Sequence, residues 1–177
     1  VVLYHMPFSE VEFNQMAGRA GRDGLPAYIH LLFGEADAAI NEAMLANATP
    51  DHDYMAQVYR ELRREQRDSG VSDVFITLAS VTKQSNMYAP LKLLESHVVC
   101  GLQVFSELGL IKAEQTVIDN GQIKIHVIDY KGKVELVSSA RYKEGLDERA
   151  SFESFKEWIL RSNSEELQER IQRPLLP

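Results

Sequence analysis

The feature that most constrains the fold is a glycine-punctuated stretch at residues 18–24, between a helical pattern and an apolar run. Glycine tolerates positive φ angles and close backbone approach, so the chain is expected to bend here. Helical periodicity precedes the stretch at residues 9–19, and the flanking residues 1–4 and 26–33 are β-branched, aromatic and apolar. The order strand, helix, glycine loop, strand predicts one α/β unit.

Helix starts are marked by capping residues in the first third of the chain. Ser9 and Glu12 have the spacing of a capping box, in which each side chain accepts from a free backbone N–H. Thr49 and Pro50 supply a cap and a first residue for a later helix, which should end at residues 68–70. We predict a domain boundary at that turn.

Three helices and a hairpin are expected between residues 71 and 130. The predicted helices are residues 73–82, 90–95 and 97–108. The predicted strands of the hairpin are residues 110–113 and 123–128. The hairpin tip at residues 119–121 contains Asn-Gly, a pair favoured in tight β-turns. Three helices followed by a β-wing is the winged-helix plan.

Composition bounds the class of protein. The chain is 45% hydrophobic and 25% charged, and no apolar run approaches the roughly 20 residues of a membrane span. A single cysteine, Cys100, excludes an internal disulfide and a cysteine-rich zinc site. These features and a start without Met predict a soluble, cytoplasmic piece that begins inside a longer protein, with no membrane partner. The net charge of −7 means that contact with nucleic acid requires a local basic patch.

Two arginines in the glycine stretch have the spacing for a phosphate contact. Arg19 and Arg22 are three residues apart and are separated by the small residues Ala20 and Gly21. Guanidinium is permanently charged and binds phosphate oxygens through two N–H groups. Gln15, one turn before Arg19, can add an amide contact on the same face. The alternative is that both arginines are solvated surface charges.

Residues 15–22, Gln-x-x-Gly-Arg-Ala-Gly-Arg, resemble motif VI of superfamily 2 helicases, and residues 23–27 resemble its RecQ-type continuation. The resemblance implies that Gln15, Arg19 and Arg22 bind nucleotide phosphate on the ATP side of a RecA-like helicase lobe. It also implies that Arg22 is a catalytic arginine finger once a missing partner lobe is present. The motif can alternatively be a remnant that no longer supports ATP turnover.

The chain also departs from the helicase pattern. It contains no Gly-x-x-x-x-Gly-Lys-Ser/Thr phosphate loop and no Asp-Glu-x-His box. RecQ helicases carry a four-cysteine zinc module before their winged helix, whereas this chain has only Cys100. We therefore expect no cofactor and no ATP hydrolysis in this chain alone, and ATP only with the complete protein.

A second resemblance covers the later part of the chain. Residues 94–112, which include Gly-Leu-Gln-Val-Phe-Ser-Glu-Leu-Gly-Leu-Ile at 101–111, are similar to the C-terminal region of Firmicute-type RecJ, the single-stranded-DNA exonuclease, as are residues 139–145 and 155–158. This resemblance implies a parent 5′-3′ exonuclease in DNA repair or recombination, whose divalent Mg or Mn site lies in other domains of the same protein. The implied partners are single-stranded DNA, those missing N-terminal domains and another repair protein.

The one cluster of metal-ligand types is Asp51-His52-Asp53. It lies at a predicted helix start, where acidic residues complement the helix dipole, and no second Asp/His set accompanies it. We predict no metal site in this chain.

Candidate DNA contacts lie in two regions. The densest positive run has positions three and four apart on one helical side, and comprises Arg60, Arg63, Arg64 and Arg67. Pairing with Glu61 and Glu65 on a solvated face is the alternative. The later candidates are Lys83, Gln84, Lys92 and Gln103. Residues 72–130 contain four lysines and no arginine against six carboxylates, so docking of another protein is also open.

The predicted fold class is α/β, mixed α+β overall. The predicted segments are a fragment of a RecA-like helicase lobe (1–47), a linking helix (48–70), a winged-helix-like domain (71–130) and a helical C-terminal tail (131–177). Three hypotheses remain open: a RecJ-like accessory region, a helicase fragment, and a protein-docking module with a vestigial motif.

Overall fold

The computed structural model describes residues 1–22, 24–71, 73–118, 121–130 and 132–172. They form, in chain order, β1 (Val2–Leu3), α1 (Glu10–Ala17), β2 (His30–Leu31), α2 (Glu35–Ala48), α3 (His52–Ser69), β3 (Asp73–Ile76), α4 (Leu78–Tyr88), α5 (Glu95–Glu107), β4 (Ile111–Ile118), β5 (Gln122–Val127), a 3₁₀ turn (Leu136–Ser138), α6 (Ala140–Arg161) and α7 (Ser164–Gln172). This mixture of helix and strand agrees with the predicted mixed class. No helix in the described part of the chain combines the length and apolarity needed to cross a bilayer.

Contacts group the chain into two units. Unit 1 comprises Val1–Leu45 and the chain from Asp147 onwards, and unit 2 comprises Ala46–Leu146. This grouping differs from the four predicted segments. The predicted linking helix at residues 48–70 contains α3, which belongs to the core of unit 2. The predicted tail at residues 131–177 is divided between the two units.

In unit 1, β1 and β2 pair in parallel, with Val2 opposite His30 and Leu3 opposite Leu31. The intervening α1 starts after Ser9 as its sequence predicts, and Ser9 Oγ accepts from Glu12 N at 3.2 Å. The second half of the predicted capping box differs, because Glu12 Oε2 accepts from Phe8 N at 2.8 Å and not from Ser9 N. Strand, helix, glycine loop and strand therefore follow in the predicted order. The buried core side chains come from both parts of the unit: Leu3, Met6, Phe13, Ala17, Ala38, Leu45, Phe152, Phe155 and Ile159.

In unit 2, three helices pack with a three-stranded antiparallel sheet of order β3-β5-β4. The predicted hairpin is confirmed, since Ile111 pairs with Val127 and Ala113 with Ile125. Its predicted tip residues Asp119 and Asn120 lie outside the described residues. Completely buried side chains in the core include Met55, Val58, Leu62, Val81, Val98, Val104 and Ile125.

The helix predicted over residues 73–82 is wrong in its first half. Asp73–Ile76 is a strand whose residues Val74 and Ile76 are buried, and it pairs with β5. The helix starts only after Thr77, where Thr77 Oγ1 accepts from Ser80 N at 3.0 Å and Ser80 Oγ accepts from Thr77 N at 3.1 Å. Alternating burial and a distant strand partner outweigh the local helical pattern.

The short helix predicted over residues 90–95 is absent from the structure. The side chain of Asn86 binds both backbone groups of Leu93 in this segment. Its Oδ1 accepts from Leu93 N at 2.7 Å and its Nδ2 donates to Leu93 O at 3.0 Å. Leu93 is buried in the core of unit 2. The segment is therefore an anchored connection, and the next helix starts at Glu95 rather than at the predicted His97.

Candidate functional site

The glycine loop after α1 has a backbone that larger residues would disturb. A Cβ atom at Gly18 would lie 2.9 Å from Asn14 O. Gly21 has a φ of +65°, a backbone conformation that residues with a side chain rarely adopt. A Cβ atom added at this position would lie 3.3 Å from Leu25 O. The motif's glycines therefore set the path of the loop that carries Arg19 and Arg22. Asp23 of the same motif lies outside the described residues.

The side chains of Gln15, Arg19 and Arg22 are all exposed. Arg22 Nε donates to Gly18 O at 3.4 Å, a contact that leaves the two Nη groups at the end of the side chain for a ligand. Within the described parts of the chain, no carboxylate forms an ion pair with Arg19 or Arg22. The arrangement presents two uncompensated guanidinium groups, which can bind phosphate oxygens.

An adjoining cavity of about 590 Å³ does not contain these arginines. Its walls include Phe13, Gly18 and Gly21 on the loop side, and Leu167 and Ile171 of α7. None of the described lining residues carries a charge. A cavity without a charged group offers a phosphate no ionic partner, so the candidate phosphate site is the exposed edge of the loop.

The four arginines of α3 lie along one side of the helix, as predicted. Arg63 Nη2 lies 3.2 Å from Asp129 Oδ1, and Arg64 pairs with Glu61 at 3.5 Å and Asp68 at 3.6 Å. Among the described residues, Arg60 and Arg67 form no ion pair. Half of this run is therefore neutralised on a solvated face, and half remains available to an anion.

The fold brings Gln84, one of the other predicted DNA contacts, beside the arginines of α3. Gln84 lies beside α3, where its amide oxygen, when turned towards Arg64, accepts from Nη2 at 2.8 Å. Lys92 Nζ donates to Asn86 O at 2.7 Å, and Lys83 is exposed on α4. Gln103 is exposed on α5.

The exposed side of α5 lies beside a groove of about 480 Å³. The groove is lined by Gln103, Ser106, Glu107 and Arg141 among others. His97, which sequence patterning placed on the same helix, is only 4% exposed and cannot reach a ligand there. Among the described residues that line this groove, the one positive charge is that of Arg141, from α6, so α5 itself provides no basic surface for DNA.

The Asp51-His52-Asp53 cluster is spread over the start of α3. Asp51 is the N-cap residue and Asp53 lies in the first turn. His52 Nδ1 lies 3.6 Å from Asp53 Oδ1, and these side chains are 77% and 85% exposed. In the described ranges, no group of three or more His, Cys, Asp or Glu residues could hold a metal ion.

A charged cluster on the sheet of unit 2 was not predicted. Asp73 Oδ2 lies 3.1 Å from Lys124 Nζ, and Asp73 Oδ1 lies 3.0 Å from His126 Nδ1. The hydrogen bond from Lys124 and, to a smaller extent, the hydrogen bond from His126 lower the pKa of the Asp73 carboxyl. Pattern analysis placed His126 at a core or edge position, and its partner 53 residues away in the chain is invisible without the strand register.

Cys100 is buried, and burial raises the pKa of its thiol. A protonated, buried thiol is a poor nucleophile and a poor metal ligand. Cys100 is therefore a packing residue of α5.

No family model, no curated protein and no solved structure matches this chain.

Proposed function

We propose that this chain is the accessory C-terminal region of a DNA repair or recombination enzyme, with a RecJ-like single-stranded-DNA exonuclease as the leading candidate. The observation that carries the proposal is the exposed, uncompensated pair Arg19 and Arg22 on a loop bent by Gly18 and Gly21. In this proposal the loop belongs to a fragment of a RecA-like lobe. The parallel β1–β2 pair on either side of α1 supports that assignment.

Unit 2 is proposed to be a winged-helix-like domain. Support comes from its order of elements, α3-β3-α4-α5-β4-β5, and from the sheet order β3-β5-β4. In this assignment α3 is the first helix of the domain, α5 is the third, and the β4–β5 hairpin is the wing. The domain would position DNA or a partner protein, while the parent's divalent metal and nuclease residues lie outside this chain.

The RecJ-like candidate is supported by residues 94–112, which span α5 and the start of β4. The residues resembling RecJ after position 139 fall in α6, which supplies Tyr142 to one core and Phe155 to the other. The similar residues therefore include parts of both hydrophobic cores, as expected for a structural scaffold rather than a nuclease site.

A second candidate is a RecQ-like, ATP-dependent helicase fragment. The observation that favours it is that the two Nη groups of Arg22 have no partner among the described residues, which suits an arginine finger directed at a nucleotide held by another lobe. A third candidate, protein docking with a vestigial motif, is favoured by the absence of lysine and arginine from α5. ATP is a ligand of the complete protein only in the second candidate.

The test uses the full-length protein that contains this chain. Degradation of a labelled single-stranded oligonucleotide, with a duplex of the same sequence beside it, tests the exonuclease assignment. We expect single-strand-specific 5′-3′ degradation that requires Mg²⁺ or Mn²⁺. A preparation that unwinds duplex DNA with ATP but degrades no single strand would replace the leading candidate with the helicase.

The motif is tested separately by DNA-stimulated ATP turnover. If Arg22 completes an ATPase site, Arg22→Ala should reduce turnover by about 10³-fold or more, because an arginine finger stabilises charge in the transition state. Arg161→Ala, which removes an exposed arginine from the same unit, serves as the matched control. Turnover that is equal in Arg22→Ala and the wild type would leave the motif vestigial.

A further inference from the structure

A basic groove of about 540 Å³ lies beside α3 and the end of α4 in unit 2. Its described lining includes Tyr88, Pro90 and all four arginines of α3. The one carboxylate among those lining residues is Glu61, which is only 9% exposed. In a chain of net charge −7, this groove is a local concentration of positive charge.

Carboxylates neutralise two of the four arginines, and among the described residues none neutralises the other two. Arg63 is paired with Asp129, and Arg64 with Glu61 and Asp68. Arg67 Nε donates to Arg63 O at 3.3 Å, which orients the side chain without neutralising it. Arg60 and Arg67 are seven residues apart, so their positions on the helix are separated by about 10 Å. They can reach different phosphates of one strand.

Tyr88 adds an aromatic surface to the groove. Tyr88 is 71% exposed, so its ring is accessible to a ligand. Arg64 Cζ lies 5.3 Å from the ring centroid, over one face, which leaves the remaining exposed surface for a ligand. Gln57 of α3, which lines the groove, donates from its Nε2 to Ser85 Oγ of α4 at 2.5 Å, a hydrogen bond between buried side chains that links the two helices.

We propose that this groove binds single-stranded nucleic acid, with one base stacked on Tyr88 and adjacent phosphates held by Arg60 and Arg67. Sites of this class combine a positive groove for the backbone with aromatic rings for the bases. A paired base in a duplex cannot stack on a side chain without leaving its helix. An acidic peptide would use the arginines but would gain nothing from the ring. The choice of DNA as ligand rests on the proposed function.

The experiment is a fluorescence-anisotropy titration of the whole chain with a labelled 15-nucleotide oligo-dT over a series of salt concentrations. Tyr88→Ala should weaken binding about tenfold, whereas Tyr88→Phe, which keeps the ring, should bind as the wild type does. Arg60→Ala/Arg67→Ala should weaken binding and reduce the slope of log affinity against log salt by about 1.4. The matched control is Lys133→Ala/Lys143→Ala, which removes two exposed positive charges elsewhere in unit 2.

Four results would overturn the groove assignment. The first is binding of oligo-dT that neither the arginine nor the tyrosine variants weaken; the DNA role would then survive at another surface. The second is equal affinity for duplex DNA. The third is displacement by polyglutamate at equal charge together with no effect of Tyr88→Ala. The fourth is absence of binding at low salt, after which the nuclease and ATP assays of the full-length protein decide the proposed function independently.

Discussion

At the scale of single residues, the buried ring of His97 has hydrogen-bond partners that favour its neutral form. Its ring is buried in unit 2, where Nδ1 accepts from Leu94 N at 3.3 Å and Nε2 lies 3.3 Å from Asn47 Oδ1. A neutral ring with its proton on Nε2 satisfies both contacts. Protonation of Nδ1 would remove the acceptor for the Leu94 N–H, and burial lowers the pKa of His97.

We predict that this histidine makes stability depend on pH. The unfolded chain takes up a proton as the pH falls through 6.5, whereas the folded chain does so only at lower pH. The free energy of unfolding should therefore decrease as the pH falls below 6.5. Above pH 6.5 the stabilisation that comes from the neutral His97 ring should be fully present. Urea unfolding between about pH 7.5 and pH 5 measures the slope.

His97→Gln should flatten this slope, while His52→Gln, at a side chain that is 77% exposed, should retain it. A slope of equal steepness in the His97→Gln protein would show that another group is responsible.

At the scale of elements, α3 and α5 approach each other closely. A Cβ atom at Gly101 of α5 would lie 2.7 Å from Val58 Cγ1 and 3.2 Å from Phe105 Cε2. Val58 is completely buried. The glycine is required by helix–helix packing and not by its φ angle, because a larger residue at position 101 would meet Val58 of α3.

We predict that Gly101→Ala destabilises the protein, although alanine is the better helix former by about 1 kcal/mol. Overpacking of this kind costs about 1–3 kcal/mol, measured as the change in the free energy of unfolding. Val58→Ala removes the atom that the new methyl group meets. The double variant should therefore lose less stability than the sum of the single variants. Strict additivity would contradict the contact.

At the scale of the whole molecule, each unit has its own hydrophobic core. The core of unit 1 combines residues near both ends of the described chain: Phe13 of α1 and Phe155 of α6 have ring centroids 6.5 Å apart, and Phe13 and Trp158 are 5.8 Å apart. Arg170 of α7 forms an ion pair with Glu10 and lies over the Trp158 ring. The C-terminal helices are thus structural parts of the unit that carries Arg19 and Arg22.

Phe152→Ala tests this organisation. Phe152 is 1% exposed in the core of unit 1, and its truncation should cost about 3–5 kcal/mol. Hydrogen exchange should show faster exchange in α1 and in the part of α6 after Leu146, with smaller changes in α3 and β5. The opposite pattern, in which the core of unit 2 loses protection first, would refute the division into two cores. Phe75→Ala, at a side chain that is 53% exposed, is the control.

Local sequence signals determined the α/β order of the first 31 residues, the caps of α1, the hairpin of β4 and β5, and the exposed loop with Arg19 and Arg22. These features depend on side-chain period, capping chemistry and glycine backbones, which act over a few residues. Tertiary structure alone decided that Asp73–Ile76 is a strand, that α3 is a core helix, and that the C-terminal helices complete unit 1. It also brought Tyr88 beside the α3 arginines. The reason is that burial and strand pairing join residues that are far apart in the chain. The free energy of these contacts outweighs the secondary-structure propensity of a short segment, and the sequence of that segment alone does not reveal it.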